Sequence, residues 1–406
     1  MKLNLLAFAV PFFVLFMVLE FLIARKKKLS FFNLHHSVAN VSIGIAERLL
    51  DVWVTGAFYF MYDHLQKNYG LFEVKPGILM WLLLLLCTDL IWYWYHRLAH
   101  EVNVFWAAHV VHHQSEDFNY TVSARITVFQ AFIRTGFWAV LPLLGFPAAM
   151  ITSLLLVHGL YPFFIHTRLI GKLGILEYIL VTPSHHRVHH ASNEQYLDKN
   201  YGDVFIIWDK LFGTFQKEDD RVEIKYGLTK PLNSYSFLWQ HVHFMAELLH
   251  ALKRTSGLIP KMKLLFGKPD LVDPSAREAV EKKFRIFHLD HPVEQKLNRY
   301  VIWQVALGIA LLFAFILFEH YLPLTQQVLI SLALILTLIN CGAIMEQKKW
   351  VFYLEFLRLL TVVIGIVIAY PANWLGVLLL PAILLLIRYS ETLREYYLGW
   401  VYPQRS

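Results

Sequence analysis

Cysteine is scarce in this sequence of 406 residues, which contains two, Cys87 and Cys341, both within apolar runs. Two such thiols support neither a disulfide framework nor the four thiolate ligands of an iron–sulfur cluster. Charged residues are also few, at 17% of the chain. The sequence shows no internal repeat, heptad array, nucleotide-binding loop or low-complexity linker. Disulfide-rich, iron–sulfur and coiled-coil classes are therefore excluded.

Apolar residues, in contrast, make up 57% of the chain, and aromatic residues make up 16%. Runs of this composition that approach 20 residues are typical of membrane-spanning helices. The sequence therefore predicts an all-α fold, a multi-pass integral membrane helical bundle. The predicted spans are residues 3–24, 38–62, 78–95, two helices within 126–165, and 300–318, 322–344, 351–369 and 374–387.

The net charge of +7 collects at the ends of apolar segments, as in Arg25–Lys28 and at Lys348 with Lys349. Positive residues beside a span favour the cytoplasmic side, so this distribution indicates membrane orientation rather than nucleic-acid binding. Counting spans from Arg25–Lys28 places His96 at the cytoplasmic face, and the two helices within 126–165 return His166 and residues 185–190 to the same face. We expect a multi-pass protein of the endoplasmic reticulum membrane in a eukaryote, or of the inner membrane in a bacterium.

Histidines form three clusters, which we call the first, second and third boxes. At spacings of three and four residues, side chains on a helix share one face, where several imidazoles can converge on one cation. Zinc-protease chemistry is excluded, because Val104 follows His100-Glu101 at the position where His-Glu-x-x-His needs its second histidine. Eight or more nitrogens are too many for one zinc ion and suit two metals. The boxes are His96 and His100; His109, His112 and His113; and His185, His186, His189 and His190.

Other polar residues near the boxes are either further candidate ligands or residues with a structural role. His166, at the end of an apolar run, is predicted to be a further ligand, whereas His158 within that run is predicted to be a buried, hydrogen-bonded histidine. Asp203 is either a partner for an imidazole N–H or a helix cap. His241 and His243 are too isolated in sequence to count as ligands and are interpreted as ordinary interfacial residues.

The boxes HRLAH, HVVHH and HHRVHH, in that order between apolar spans, resemble those of the fatty acid hydroxylase and sterol desaturase superfamily of membrane di-metal oxygenases. A finer similarity is to the alkylglycerol monooxygenase subgroup. It rests on HRLAHEVNVFWAAHVVHHQSEDFNYTVSAR, TPSHHRVHH, NYGDVFIIWDKLFGTF and KYGLTKPLN. It extends to HHSVANVSIGIAERL upstream and to the stretch around MEQKKW, and so covers nearly the whole chain.

The resemblance implies two iron ions, with zinc as a substitute in preparations, and tetrahydrobiopterin as the reductant. It assigns metal binding to the box histidines, leaves His185 and His190 as alternatives in the third box, and adds His166. Glu101, Glu116 and Asn119 would lie behind the ligands or in the cavity, and no residue is assigned to the pterin. The implied reaction is cleavage of the ether bond of alkylglycerol lipids by hydroxylation of the carbon next to the ether oxygen, with O₂ and a membrane lipid as substrates.

Two alternatives stay open at this point. A sterol or fatty-acyl hydroxylase or desaturase would keep the metal centre but change the substrate and the electron donor. A membrane metal transporter would also use histidines, but it predicts ligands distributed along the spans. We predict four parts of the chain: anchor helices in 1–76, the catalytic domain in 77–217, an amphipathic connector in 218–299 and a C-terminal membrane bundle in 300–406.

Overall fold

α-Helices form the regular framework of this protein in a computed structural model that describes residues 3–286, 295–369, 381 and 384–402. Within these residues there is no β-strand, and two isolated antiparallel bridges join Leu180 to Phe205 and Ala191 to Tyr226. The predicted all-α class is confirmed. The helices are α1 (Ala9–Lys26), α2 (Leu34–Tyr69), α3 (Ile78–Glu101), α4 (Asn103–His109), α5 (Tyr120–Ser123), α6 (Val128–Phe137), α7 (Val140–Leu143), α8 (Ala148–His158), α9 (Tyr161–Ile165), α10 (Pro183–His189), α11 (Ile207–Phe212), α12 (Phe237–Arg254), α13 (Leu258–Phe266), α14 (Ser275–Phe284), α15 (Gln295–Phe318), α16 (Leu324–Met345), α17 (Val351–Ala369) and α18 (Ser390–Val401).

Six helical segments of the described chain are long and apolar enough to cross a membrane. The predicted multi-pass architecture is confirmed in this sense. The predicted span at residues 38–62 belongs to the long helix α2 but is not among the six, and the predicted span at 374–387 lies largely outside the described residues. The six segments are Leu5–Lys26, Ile78–Glu101, Ala148–Ile165, Leu297–Tyr321, Leu324–Met345 and Val351–Ile368.

Charged residues interrupt the apolar surface of α2. Arg48 donates hydrogen bonds to Glu47 Oε2 at 2.7 Å and to Asp51 Oδ2 at 3.1 Å. Arg134 of α6 lies 3.9 Å from Glu47 Oε1. The side chain of Glu47 is buried, and a buried carboxylate is tolerated when cations and hydrogen bonds compensate its lost hydration. These pairs explain how a helix with three charges in its middle can pack within the protein.

The chain divides into two compact units. The smaller comprises Met1–Val14, Ser234–Leu238 and His288–Ser406, and the larger comprises Leu15–Asn233 and Trp239–Phe287. In the smaller unit α15 packs on α16 and α16 on α17. Glu355 of α17 is enclosed there: it accepts hydrogen bonds from Asn340 Nδ2 at 2.7 Å and Arg358 at 2.6 Å. The predicted four-part domain division stays a prediction.

The larger unit has an apolar core between α2, α3, α7 and α8. Leu84, Leu141 and Ile151 are fully buried in this core, and Tyr62 and Trp138 pack beside them. This packing fixes α3, whose last two turns carry His96 and His100. Short helices then follow one another along the chain, and their frequent turns bring α4, α9 and α10 to the same end of α3.

Candidate metal centre

Five histidines form a first group at the end of α3. His96 and His100 lie four residues apart on α3, so both project from one face of this helix. His109 ends α4, His113 ends the following 3₁₀ turn, and His189 ends α10. One ring nitrogen of each residue lies within 4.8 Å of those of the other four. Three separate chain segments therefore converge on one point.

Four further histidines form a second group beside the first. They are His112 of the second box, His166 directly after α9, and His186 and His190 of the third box. Their ring nitrogens meet the same distance criterion. The rings of His113 in the first group and His190 in the second group stack with centroids 4.5 Å apart. The two groups are thus neighbours and supply nine histidines in total.

In the second group we call the ring nitrogen that faces the surrounding protein the outer nitrogen, and the one that faces the other imidazoles the inner nitrogen. A hydrogen bond at the outer nitrogen determines whether the inner nitrogen has a free lone pair. His112 Nδ1 lies 3.2 Å from the Arg125 carbonyl oxygen, and His166 Nδ1 lies 2.6 Å from that of Pro162. A carbonyl oxygen only accepts, so both Nδ1 atoms carry the proton and both Nε2 atoms expose a lone pair. These two Nε2 atoms face each other at 3.3 Å. A cation between them would turn this repulsion into attraction.

The first group shows the same arrangement. His96 Nδ1 donates to the carbonyl oxygen of Tyr201 at 2.8 Å, and His189 Nδ1 donates to that of Lys199 at 3.0 Å. His109 Nδ1 lies 3.2 Å from Gln130 Oε1. Fixing the proton on Nδ1 leaves Nε2 free as a metal ligand, which is the usual function of such outer hydrogen bonds.

Distances between the inner nitrogens match those of ligands that share one metal ion. His96 Nε2 lies 3.1 Å from His109 Nε2, and His186 Nε2 lies 2.9 Å from His166 Nε2. Metal–imidazole bonds of about 2.0–2.1 Å place neighbouring ligand nitrogens about 2.9–3.4 Å apart, depending on the coordination angle. The donor set therefore fits two metal ions in chemistry and in spacing.

Some members of the two groups lie outside the candidate membrane spans. For these histidines burial favours the neutral imidazole, which is the form that binds metal. It lowers the pKa of His109 and of His166 to about 3 and that of His189 to about 4. Burial together with neighbouring imidazoles lowers the pKa of the remaining members well below its usual value. Protons therefore compete weakly for these nitrogens near neutral pH. The remaining members are His112, His113, His186 and His190.

His185 lies outside both groups, although it belongs to the third box. Its Nδ1 accepts a hydrogen bond from the Thr182 backbone N–H at 3.3 Å, and its ring packs against Phe215. His190 occupies the second group instead, with its Nε2 3.1 Å from that of His186. Of the two residues that the sequence left as alternatives, the structure places His190 beside the other ring nitrogens.

Asp89, His158 and Asp203 form a third buried group, behind the first. His158 Nε2 lies 3.0 Å from Asp89 Oδ1, and His158 Nδ1 lies 2.8 Å from Asp203 Oδ2. Asp89 also accepts from the backbone N–H groups of Val204 and Phe205. With these donors and the Trp208 indole N–H, its carboxylate is saturated without a metal. Asp203 is thus a partner of an imidazole, but of His158 rather than of a box histidine.

The segment of residues 199–214, which includes the short helix α11 and which we call the 199–214 loop, connects this third group to the metal centre. Its Lys199 and Tyr201 carbonyl oxygens accept from His189 and His96, as described above. Asp209 fixes the loop by accepting from the Tyr201 N–H at 2.7 Å and the Gly202 N–H at 2.8 Å. Asp89 holds the next part of the same loop. Two buried carboxylates therefore hold the segment that orients two box histidines.

Three other residues named by the resemblance lie away from the inner ring nitrogens. Glu101 pairs with Arg97 at 3.1 Å. Asn119 donates to the Phe31 carbonyl oxygen and caps α5 through the Thr121 N–H. Glu116 is exposed. Their role behind the ligands or in the cavity stays a prediction.

Arg125 and Gln130 contact the boxes and were missed by sequence reasoning. Arg125 is buried, and its carbonyl oxygen accepts from His112, while its Nε donates to the Val111 carbonyl oxygen at 2.8 Å. Gln130 orients His109. The sequence spacing between these residues and the histidines follows no known pattern that would identify them as hydrogen-bond partners. Both reach the histidines across a turn of the chain rather than along one helix.

The sequence of this chain is similar to those of known proteins in the region of the metal centre and beyond it. The family model for fatty acid hydroxylase matches residues 81–214. An alkylglycerol monooxygenase of Homo sapiens is 34% identical over 365 residues, which cover 87% of this chain and 80% of that protein. One of Caenorhabditis elegans is 27% identical over 357 residues, or 80% of this chain and 69% of that protein. A lathosterol oxidase of Homo sapiens is 28% identical over 150 residues, 36% of this chain and 48% of that protein. No solved structure matches significantly.

Proposed function

The chain belongs to the alkylglycerol monooxygenase family, and from this premise we propose that it cleaves the ether bond of alkylglycerol lipids. The carbon next to the ether oxygen is hydroxylated, and the resulting hemiacetal separates into a fatty aldehyde and a glycerol derivative. One oxygen atom of O₂ enters the lipid, and the other leaves as water with two electrons from tetrahydrobiopterin. The observation that carries this proposal is the convergence of nine imidazoles, five of them oriented by hydrogen bonds at Nδ1, in a chain with that family's sequence.

Two iron ions would be held by the two groups of histidines. The first group offers five nitrogens and the second offers four, which are the donors that iron, zinc and copper accept. In the third box we propose His190 rather than His185 as the ligand. When bound, the metal supplies the activation of O₂ that no side chain performs unaided.

The protein's own contribution is to hold these imidazoles and to exclude water from them. Each Nδ1 bond described above fixes one ring in orientation and tautomer, so the inner nitrogens are positioned before metal binds. Phe118 closes one side of the second group, because its ring stacks on His166 with centroids 5.6 Å apart and on Tyr226 at 4.9 Å. The enclosed site favours reaction with a C–H bond over side reactions with solvent.

An apolar surface segment supports access of a lipid from the bilayer. Residues 170–179 follow the third candidate span and expose several large apolar side chains, with Ile175 81% and Tyr178 71% exposed. The same segment is bound to the third box, since Arg187 donates to the Ile170 carbonyl oxygen at 2.8 Å. An exposed apolar surface of this kind marks an interaction with a membrane or ligand. We propose that lipid reaches the histidines along it.

We further propose that the histidine boxes face the cytoplasm. The basic residues Arg25–Lys28 at the end of the first candidate span support this orientation. A cysteine introduced for the exposed Gln195 should react with a membrane-impermeant thiol reagent in inside-out vesicles and stay unlabelled in intact cells. Labelling from the outer face would contradict the orientation without affecting the proposed reaction.

The function is tested by product analysis of membranes that contain the protein. We expect fatty aldehyde from 1-O-alkylglycerol only when O₂ and the reduced pterin are both supplied, since each provides atoms or electrons that the reaction consumes. Membranes lacking the protein serve as the control. Hydroxylation or desaturation of a sterol or acyl chain with a cytochrome donor, and no aldehyde with pterin, would instead favour the other members of the superfamily.

The assignment within the third box is tested by metal content. Purified protein should carry about two metal ions per chain, and His190→Ala should reduce this to about one, because the second group loses one of its four nitrogens. His185→Ala should retain two, since this residue contacts neither group. Elemental analysis after gel filtration measures both variants. Loss of metal from His185→Ala alone would reverse the assignment.

A further inference from the structure

A network of polar groups, buried except for the half-buried Gln114, leads from the second box into α12 and α14. His243 of α12 has no exposed surface. Its Nε2 lies 2.8 Å from Gln114 Nε2, and its Nδ1 lies 2.9 Å from Glu247 Oε1. Arg277 of α14 donates to the same Glu247 oxygen at 2.8 Å. The expectation that His243 is an ordinary interfacial residue is therefore wrong.

From Arg125 to Glu247 the hydrogen bonds of this network run in one direction, and Arg277 donates to Glu247 from the other side. Glu247 accepts, so His243 Nδ1 carries the proton and His243 Nε2 must accept from the Gln114 amide N–H. This fixes the orientation of the Gln114 amide, whose Oε1 then accepts from Arg125 at 2.6 Å. With the amide reversed, the Gln114 nitrogen would face the Arg125 donor and the hydrogen bond would be lost. His243 and the Gln240 carbonyl oxygen, which accepts from the same Gln114 nitrogen at 3.0 Å, therefore together hold the amide in the orientation that contacts Arg125.

Arg125 transmits this constraint to the ligands of the second box. Its Nε donates to the Val111 carbonyl oxygen, and its own carbonyl oxygen accepts from His112 Nδ1. Gln114 itself directly follows His113. Arg125 thus binds both ends of the turn that carries His112 and His113, at Val111 and at Gln114, and His243 contacts the Gln114 end.

We propose that His243, oriented by Glu247, is a positioning residue for the second histidine box and acts through Gln114 and Arg125 on the metal affinity of the centre. The inference rests on the proposed function only in treating the box histidines as metal ligands. It assigns a role in metal binding to the connector helices α12 and α14. Loss of an outer partner of a ligating histidine typically weakens metal binding about 10–100-fold.

A matched pair of substitutions distinguishes a role of the His243 hydrogen bond to Gln114 from a role of the His243 ring in packing alone. In His243→Gln the amide oxygen can replace Nε2 and accept from Gln114. In His243→Asn the amide nitrogen can replace Nδ1 and donate to Glu247, but the side chain cannot reach Gln114. Each variant keeps one of the two hydrogen bonds. Zinc binding to the purified, metal-stripped protein, titrated against a chromophoric chelator, provides a readout independent of catalysis.

We expect His243→Asn to raise the zinc dissociation constant about 10-fold, the lower end of the range for a direct partner of a ligand, because His243 acts through Gln114 and Arg125. His243→Gln should stay within about threefold of wild type. Equal dissociation constants for the two variants would overturn the proposal, whatever their common value. His250→Gln on the same helix serves as a control for helix substitutions. Absence of ether cleavage by wild-type protein would refute the proposed function while leaving this comparison of zinc affinities intact.

A second measurement applies if the His243 variants do not fold. Gln114→Met removes the amide at similar volume, and it should also weaken zinc binding about 10-fold, the lower end of the range for a direct partner of a ligand, while leaving His243 and Glu247 in place. Where the double variant with His243→Asn folds, it should bind zinc no more weakly than the weaker single variant, because both changes break the same link. Unchanged affinity in Gln114→Met, or fully additive losses in the double variant, would overturn the proposal.

Discussion

Replacing His186 by alanine is expected to abolish aldehyde formation and to remove the metal of the second group. The Nε2 of His186 lies 2.9 Å from that of His166 and 3.1 Å from that of His190, so it occupies the centre of this group. Its loss leaves three nitrogens and an opening for water. Because even an outer partner of a ligand is worth about 10–100-fold, we expect a loss in rate of more than about 100-fold.

The measurement combines product analysis with elemental analysis of the same preparation. His64→Ala provides the control, since this histidine is exposed on α2 and should leave both activity and metal content unchanged. Because most of the apolar packing is remote from His186, the variant should remain folded, which thermal unfolding would verify. An active His186→Ala protein that retains two metal ions would rule out the second group as a metal site.

Asp89→Asn is expected to produce the second large effect, in a residue that contacts no box histidine. The Asp89 carboxylate accepts four hydrogen bonds, from His158, Val204, Phe205 and Trp208. An amide offers one accepting oxygen, so its nitrogen would face two donors. Breaking a buried charged pair by changing one partner costs about 3–5 kcal/mol. The free energy of unfolding should fall by about this amount.

The same substitution should weaken metal binding by the first group. Asp89 holds the 199–214 loop, and the Lys199 and Tyr201 carbonyl oxygens of that loop orient His189 and His96. Denaturant unfolding and metal content measure the two effects. Asp63→Asn is the matched control: Asp63 pairs with Lys67 at the surface, where such a pair contributes about 0–1 kcal/mol. Equal stability of the two variants would contradict the role given to Asp89.

The family and the helical membrane architecture were predictable because both are encoded locally. Apolar runs reveal spans by length, and the boxes have fixed spacings, so the resemblance to the alkylglycerol monooxygenases could be stated from sequence and is confirmed. The span predicted at residues 38–62 lies on α2, which carries Glu47, Arg48 and Asp51 and is not among the six candidate segments. The pairing of Arg48 with Asp51 follows from their spacing of three residues, whereas the approach of Arg134 to Glu47 depends on the packing of α6 against α2.

The outer part of the site was not predictable, because it consists of contacts between distant segments. His158 was expected to be a satisfied buried histidine, and its pairing with two aspartates agrees with that expectation. Its partners, however, come from α3 and from the 199–214 loop. The role of His243 could not be inferred, since the spacings of His241, His243 and His250 on α12 match no ligand pattern and the contact with Gln114 joins distant segments. His185 and His190 are equivalent by sequence, and the fold of α10 separates them.

The facing lone pairs of His112 and His166 have a consequence for how the protein is made. Without metal, the folded chain must hold imidazole nitrogens against one another at 3.3 Å, whereas the unfolded chain is free of this repulsion. Metal that binds only the folded state adds its binding free energy to the stability of the fold. With the iron proposed above as that metal, a cell short of iron is expected to accumulate less of the protein itself, since chains that insert without metal remain easier to unfold and degrade. Its abundance would follow metal supply even at constant synthesis.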